Sequence, residues 1–328
     1  MYLSRIKTMT MVSVVIPIFN EEEIIDALHQ RLSRVFKEIA KDYEILFVDD
    51  GSRDTSARRI LEIINKDPGV RLVQLSRNFG HQAAISAGLK LAQGDAVIVM
   101  DGDLQDPPEI IPDFIEKLNS GYDVVYAVRK ERKESGLKQM AYAVFYRLLH
   151  LISDIDIPID AGDFCIINRR VLDVINTELP ERIRFVRGLR AYAGFRQTGL
   201  AYSREGRYAG RPKYTFGKLC KLAIDGLFDF SRVPLRLASY MGFFVALGAF
   251  IVGVFFIFHR IFNFKIFGYS PVDNPGLATT VVGIFFLGGV VLMVLGIIGE
   301  YIGRIYIEVK KRPFYLISKV YPQDDNGG

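Results

Sequence analysis

Three aspartates, Asp101, Asp103 and Asp106, fall within the stretch VIVMDGDLQDPPE (Val97 to Glu109), directly after an apolar run and before two prolines. In an extended segment, the D-x-D spacing of Asp101 and Asp103 puts both side chains on one side of the chain. Two neighbouring carboxylates repel each other unless a cation lies between them. Carboxylate oxygens are the ligands that hard divalent cations such as Mg²⁺ or Mn²⁺ take, and such a cation fills its remaining positions with phosphate oxygens and water. The pattern therefore suits a metal–diphosphate site. Taken alone, the same residues also read as a solvated turn with an aspartate capping the helix in PPEIIPDFIEKL.

A second polar stretch, VDDGSRDTS (Val48 to Ser56), joins an apolar run to a helix start. Asp50 could accept a hydrogen bond from a base or ribose, and Gly51 allows close backbone approach. A plain turn with a capping Ser or Asp fits equally well. Neither GxGxxG after the first strand nor GxxxxGK[ST] occurs, so the familiar dinucleotide and P-loop signals are absent. The two cysteines, Cys165 and Cys220, lack metal-ligand spacing and read as ordinary apolar residues without a disulfide. The four histidines, His29, His81, His150 and His259, form no motif and read as structural.

These residues need a scaffold, and the first 125 positions supply its signature. Short apolar runs alternate with helical spacing: VSVVIPI, then 21–40; YEILFVD, then GSRDTSARRILEIINK; VRLVQLS, then GHQAAISAGLKLAQG; and finally DAVIVMD. The alternation predicts a mostly parallel sheet with helices on its faces. In such sheets ligands bind beyond the carboxyl ends of the strands. There the chain places PIFNEEE, DDGSRD, SRNFGH and DGDLQD, all on one edge. Glu21, Glu22 and Glu23 are expected in the first turn of the first helix, where the helix dipole favours them.

The C-terminal third differs. Half of the 328 residues are apolar, and two charge-free stretches, Leu237 to Phe258 and Gly276 to Gly299, each exceed the roughly 20 residues that cross a bilayer as a helix. They read as two membrane spans; buried helices of a soluble protein are the alternative. Basic residues precede the first stretch and follow the second, whereas the intervening loop holds only Arg260 and Lys265. The positive-inside rule then puts the N-terminal domain and the C-terminal tail in the cytoplasm. A net charge of +5, with its cations near the spans, fits an anionic lipid surface better than nucleic acid. The segment Phe216 to Phe230 is amphipathic and suited to the membrane surface.

In order and spacing, VVIPIFNEEE, VDDGSRDTS, LSRNFGHQAAISAGL and VMDGDLQDPPE resemble the family 2 glycosyltransferases of the GT-A fold. The likeness is greatest to the polyprenyl-phosphate branch, the dolichol-phosphate-mannose-synthase-like and bactoprenol glucosyltransferase group, and covers roughly residues 11 to 235. The resemblance implies that Pro17, Asn20 and Glu22 frame the base and ribose, that Asp50 binds the nucleoside, and that Ser76, Arg77 and Asn78 border the nucleotide pocket. It implies that Asp101 and Asp103 hold Mg²⁺ or Mn²⁺ on the donor diphosphate, with Gln105 near the donor sugar. In DAGDFCIINRR, Asp163 matches the acceptor-side carboxylate, with Asp160 as second choice, and Cys165 stands where the family often has arginine. Arg207, Arg211 and Lys213 in REGRYAGRPKY suit an acceptor phosphate, or lipid headgroups alone. Processive members carry QxxRW; this chain has no tryptophan.

The expected architecture is an N-terminal tail (1–10), a cytoplasmic GT-A catalytic domain (11–213), and juxtamembrane amphipathic helices (214–234). Two transmembrane helices (235–259 and 276–302) around a non-cytoplasmic loop (260–275), and a cytoplasmic tail (303–328), complete it. The expected activity is metal-dependent, inverting transfer of a hexose from a sugar nucleotide, best UDP-glucose, to undecaprenyl phosphate at the inner membrane. GDP-mannose as donor to a dolichol-type lipid, and a non-catalytic nucleotide-binding scaffold, are the alternatives. Glycine-rich span faces also permit a homo-oligomer.

Overall fold

The computed structural model describes residues 10–39, 41–129, 161–179, 181, 184–203, 233–262 and 277–322. Its first half has the expected alternation. Strands β1 (Met11–Ile18), β2 (Asp42–Asp49), β3 (Val70–Leu75) and β4 (Ala96–Val99) are separated by helices α1 (Ile25–Glu38), α2 (Ser56–Ile64) and α3 (His81–Leu91). A 3₁₀ turn at Pro108–Ile110 leads into α4 (Ile111–Asn119). Then come β5 (Val124–Arg129), β6 (Ala161–Asn168), α5 (Arg169–Thr177), α6 (Val186–Tyr192) and β7 (Gln197–Tyr202). Two long helices, α7 (Val233–Phe262) and α8 (Leu277–Lys310), precede a last strand, β8 (Ile317–Tyr321).

The strands form one eight-stranded sheet in the order β7-β5-β6-β4-β1-β2-β3-β8. Pairing is parallel through β4-β1-β2-β3 and between β5 and β7. It is antiparallel where β6 joins β4 and β5, and where β8 joins β3. This is the expected GT-A-like α/β sheet. Its central strands are continuous apolar runs because both faces are covered. Val14, Ile16, Ile45, Phe47 and Ile98 pack on one face with Leu28, Leu32 and Phe36 of α1 and Phe114 of α4. Their alternate neighbours Val15, Leu46, Val48, Val97 and Val99 pack on the other with Ala84 and Ala87 of α3 and Leu172 and Ile175 of α5.

Two local readings are corrected. Helix α1 begins at Ile25, so Glu21–Glu23 precede it and Asp26 is the acid of its first turn. The reason is competition: the Glu22 carboxylate accepts from Thr55 N at 2.9 Å and Thr55 Oγ1 at 2.5 Å, which holds this stretch against the β2–α2 loop. Second, the chain does not run extended through Asp101 and Asp103: residues 102 and 103 form a turn and 104 a bend, with Leu104 at a left-handed φ of 56°.

The sequence reading assigned no element after α8. The chain instead returns to the sheet: β8 pairs with β3 from Leu72↔Tyr321 to Leu75↔Ile317, and Ser76 N donates to Leu316 O at 2.9 Å. Helices α7 and α8 pack on each other in a compact unit separate from the sheet. Among the described residues, one helical stretch is long and apolar enough to cross a membrane: Phe286–Lys310, 25 residues, whose most apolar 18-residue window has a mean hydropathy of 2.0 and is not buried. A shorter apolar stretch, Ala238–Ile251, lies in α7. The amphipathic segment expected at 216–230 lies outside the described residues.

Candidate active site

The loops after β1, β2, β3 and β4 meet at the carboxyl edge of the parallel strands, and they are laced to one another. Asn20, at φ 53°, donates its N–H to Ser52 Oγ at 3.0 Å and accepts from Arg53 N through Oδ1 at 2.8 Å. Glu21 N donates to Ser56 Oγ and Glu22 N to Asp54 Oδ2. The polar side chains of Asn20 and Glu22 thus join the first loop to the second. Pro17 lies half-buried in β1, opposite Val48.

Asp50 is 3% exposed. Its two carboxylate oxygens accept from Phe79 N at 2.7 Å and Gly80 N at 2.9 Å. Burial raises its pKa, against the lowering effect of these two bonds. Gly51 sits beneath the same loop at φ 72°, where a Cβ would lie 2.7 Å from the Arg77 carbonyl carbon and 2.8 Å from Asn78 N. The close approach that this glycine permits is therefore by the chain's own 77–78 backbone. Ser76, Arg77 and Asn78 are exposed, and the Arg77 guanidinium lies over the Phe79 ring, 4.2 Å from its centroid.

This tethered loop ends at Gly80, whose φ of 102° turns the chain into α3 and places His81 first in that helix. His81 Nε2 lies 3.5 Å from Asp101 Oδ1 and 3.5 Å from Asp163 Oδ2. Asp163 comes from β6, which β4 brings alongside by antiparallel pairing. Its other oxygen, Oδ1, accepts from Arg187 Nη2 at 3.2 Å and Nε at 3.4 Å. The Gln82 side chain accepts from Val186 N at 3.0 Å and so ties the start of α3 to the start of α6. Arg190, also on α6, is 2% exposed, lies 5.2 Å over the Tyr126 ring, and leaves Nη2 without a partner. Its charge acts on Asp163 and on buried Cys165. A buried arginine thus reaches the surroundings of Cys165, a β6 residue, from α6.

The electrostatics follow from this packing. Burial raises the pKa of Asp101 to about 6; His81 opposes the rise, and the carboxylates of Asp163, Asp106 and Asp103 add to it. Burial pushes Asp163 upward too, but Arg187 and His81 overcome this and hold it well below the usual carboxylate range. Burial alone would lower His81, yet Asp163 and Asp101 raise it to about 9. Asp103 accepts from Gln105 N at 3.2 Å, and buried Asp106 accepts from the Tyr202 hydroxyl.

Among the described residues, no three metal-binding side chains gather into one cluster. The donor chemistry nevertheless fits a hard dication: hard oxygen donors, with the Asp101 carboxyl raised first by burial and then by its like-charged neighbours. Asp160, Arg207, Arg211 and Lys213 lie outside the described residues. His81, expected from the sequence to be structural, lies between Asp101 and Asp163. The available signal was its place in SRNFGHQ, immediately beyond a strand end. Arg187 and Arg190, in FVRGLR, carried no local signal, because only the docking of α6 beside β6 brings them in. His29, by contrast, is structural: its Nε2 meets Asp67 Oδ2 at 2.8 Å.

The model of the family described as Glycosyl transferase family 2 matches residues 13–175. The chain is 46% identical over 310 residues to an uncharacterized glycosyltransferase, YkcC, of Bacillus subtilis, covering 94% of each chain. It is 43% identical to the SfII prophage-derived bactoprenol glucosyl transferase of Shigella flexneri, covering 94% of this chain and 97% of that one. Among solved structures, glucosyl-3-phosphoglycerate synthase from Mycobacterium tuberculosis with Mn²⁺, uridine diphosphate and phosphoglyceric acid overlaps 68% of this chain and 78% of its own, with 19% identity and a TM-score of 0.45.

Proposed function

The chain belongs to glycosyl transferase family 2, and we propose that it is a metal-dependent inverting enzyme that moves a hexose, glucose from UDP-glucose, onto undecaprenyl phosphate at a membrane surface. One observation carries this reading. A carboxylate at the end of β4 (Asp101) and a carboxylate of the neighbouring β6 (Asp163) converge on one point at the edge where the four loops meet. Relatives named bactoprenol glucosyl transferase support the choice of sugar and lipid.

Asp101 and Asp103 would hold Mg²⁺ or Mn²⁺, which supplies charge neutralisation at the donor diphosphate. The residues of the chain do the remaining work. The loop 76–80, held by Asp50 and Gly51, borders the nucleotide. Asp163 faces the acceptor. A phosphate monoester has a second pKa of about 6 and is largely dianionic near neutral pH, so it needs no strong base. Orienting the acceptor is the natural role of Asp163. One acceptor oxygen forms a bond to the anomeric carbon as the bond to the diphosphate oxygen breaks, and in-line displacement inverts that carbon. Arg207, Arg211 and Lys213 would offset repulsion between the two phosphate groups.

The return of β8 to the sheet bears on topology. Residues of the sheet precede and follow the α7–α8 pair, so the number of membrane crossings between them is even. Two spans, α7 and α8, satisfy this and keep both sheet segments on the cytoplasmic side. The test is a transfer assay with purified protein, undecaprenyl phosphate, Mg²⁺ or Mn²⁺, and radiolabelled UDP-glucose, GDP-mannose and other sugar nucleotides, with Asp103→Ala in parallel. Label entering the lipid phase from UDP-glucose, and lost in the variant, is expected. Label from GDP-mannose alone would replace the donor assignment. Absence of lipid-linked label from every donor, with nucleotide binding intact, would refute the lipid-phosphate reading.

A further inference from the structure

We propose that His81 is a positioning residue that, opposite Arg187, clamps the acceptor-side carboxylate Asp163 and sets its place relative to Asp101. The inference rests on the transferase reading above but concerns a residue that the family resemblance left without a role. Each oxygen of Asp163 has its own nitrogen partner: Oδ1 takes the Arg187 guanidinium and Oδ2 faces His81 Nε2. Two partners on two oxygens fix both the position and the rotation of a carboxylate, which one partner cannot do. His81 Nε2 faces carboxylate oxygens of Asp163 and Asp101, both acceptors, so this nitrogen carries the hydrogen in either charge state of the ring.

The clamp is itself held. Gly80 and the Asp50 carboxylate fix the turn that delivers His81. The Gln82–Val186 bond fixes α3 against the helix that carries Arg187. His81 is the side chain that touches both the donor-side and the acceptor-side carboxylate. Removing it leaves Asp101 and Asp163 facing each other without the group between them, and frees Asp163 to rotate about its Arg187 contact.

The experiment is a double-mutant cycle on the full chain in detergent, with His81→Ala, His81→Gln, Asp163→Ala and His81→Ala/Asp163→Ala. The readouts are kcat and KM of transfer, Mn²⁺–UDP affinity, and the unfolding midpoint without nucleotide. A residue acting through its neighbour gives non-additive losses, so His81→Ala should lower kcat about 10- to 100-fold, yet cost less than about 3-fold more in the Asp163→Ala background. Mn²⁺–UDP affinity should change by less than about 3-fold, and His81→Gln, which keeps an N–H donor, should recover most of kcat. Additive losses in the double variant would overturn the proposal. A loss of nucleotide affinity as large as the loss of kcat would also overturn it, placing His81 in the donor pocket alone. If the wild-type chain transfers to no lipid phosphate, the functional reading fails separately. The cycle is then read in donor hydrolysis and in the unfolding midpoint, where Asp163→Ala must relieve the destabilisation caused by His81→Ala.

Discussion

Replacing Asp50 with asparagine separates a structural tether from a nucleoside contact. Both carboxylate oxygens are committed to backbone N–H groups, at 2.7 Å to Phe79 and 2.9 Å to Gly80, in a residue that is 3% exposed. Asparagine has nearly the same shape but one acceptor oxygen, and its amide N–H₂ would face the second backbone N–H, donor against donor. A hydrogen bond to a charged group contributes about 1.5–3 kcal/mol, and a stranded buried donor costs about 1–3 kcal/mol. Removing the charge offsets part of this, because burial already raises the pKa of Asp50. The expected net loss is about 2 kcal/mol, which lowers the unfolding midpoint of a domain of about 200 residues by about 4–8 °C. Far-UV circular dichroism of the detergent-solubilised chain without nucleotide measures it. Transfer should fall as well, because the same turn delivers His81. An unchanged midpoint with weakened nucleotide binding would refute the tether and return Asp50 to the nucleoside.

Gly51→Ala tests the other side of the loop. With φ at 72° and the 77–78 backbone within 2.8 Å of the new methyl group, the loop must shift; nucleotide affinity should drop by about 10-fold or more, measurable by calorimetry with UDP and Mn²⁺. Asp67 has a depressed pKa: burial raises it, but bonds from His29, Tyr43 and Gly69 N more than reverse this. A depressed carboxylate stabilises the fold above its unfolded pKa of about 3.9, and that stability is lost as pH falls through the folded value. Asp67→Asn should therefore flatten the acid limb of a midpoint-versus-pH curve while lowering the midpoint at neutral pH. Deleting residues 313–328 removes β8, exposes the β3 edge and releases Ser76 N from Leu316; the shortened chain should lose stability and nucleotide binding together, and retention of both would show that β8 is dispensable.

The sheet was legible because its signals are local. VSVVIPI, YEILFVD, VRLVQLS and DAVIVMD are apolar runs of strand length, and parallel central strands buried on both faces need only such runs. The helix period between them, and the rule that ligands gather beyond strand ends, led to Asp101, Asp103 and the loop 76–78 without any contact being known. The glutamates were misplaced because helix-dipole preference is a weak force, about 0.3–1 kcal/mol, and the Thr55 partners of Glu22 lie 33 positions away.

By itself, the sequence determined the parallel α/β order, the apolar helices near the C-terminus and the cluster of acids at one strand end, since each depends on residues close together in the chain. Only the tertiary structure decided which acids meet. Asp163 reaches Asp101 because β6 inserts antiparallel beside β4, and His81 reaches both because Asp50 pulls the turn at Phe79–Gly80 inward. Arg187 and Arg190 enter through the docking of a seven-residue helix, and β8 returns across the whole α7–α8 pair to close the sheet edge. Pairings over such separations leave no periodicity in the chain. They are selected by the burial of whole faces and by hydrogen bonds that exist only once those faces have met.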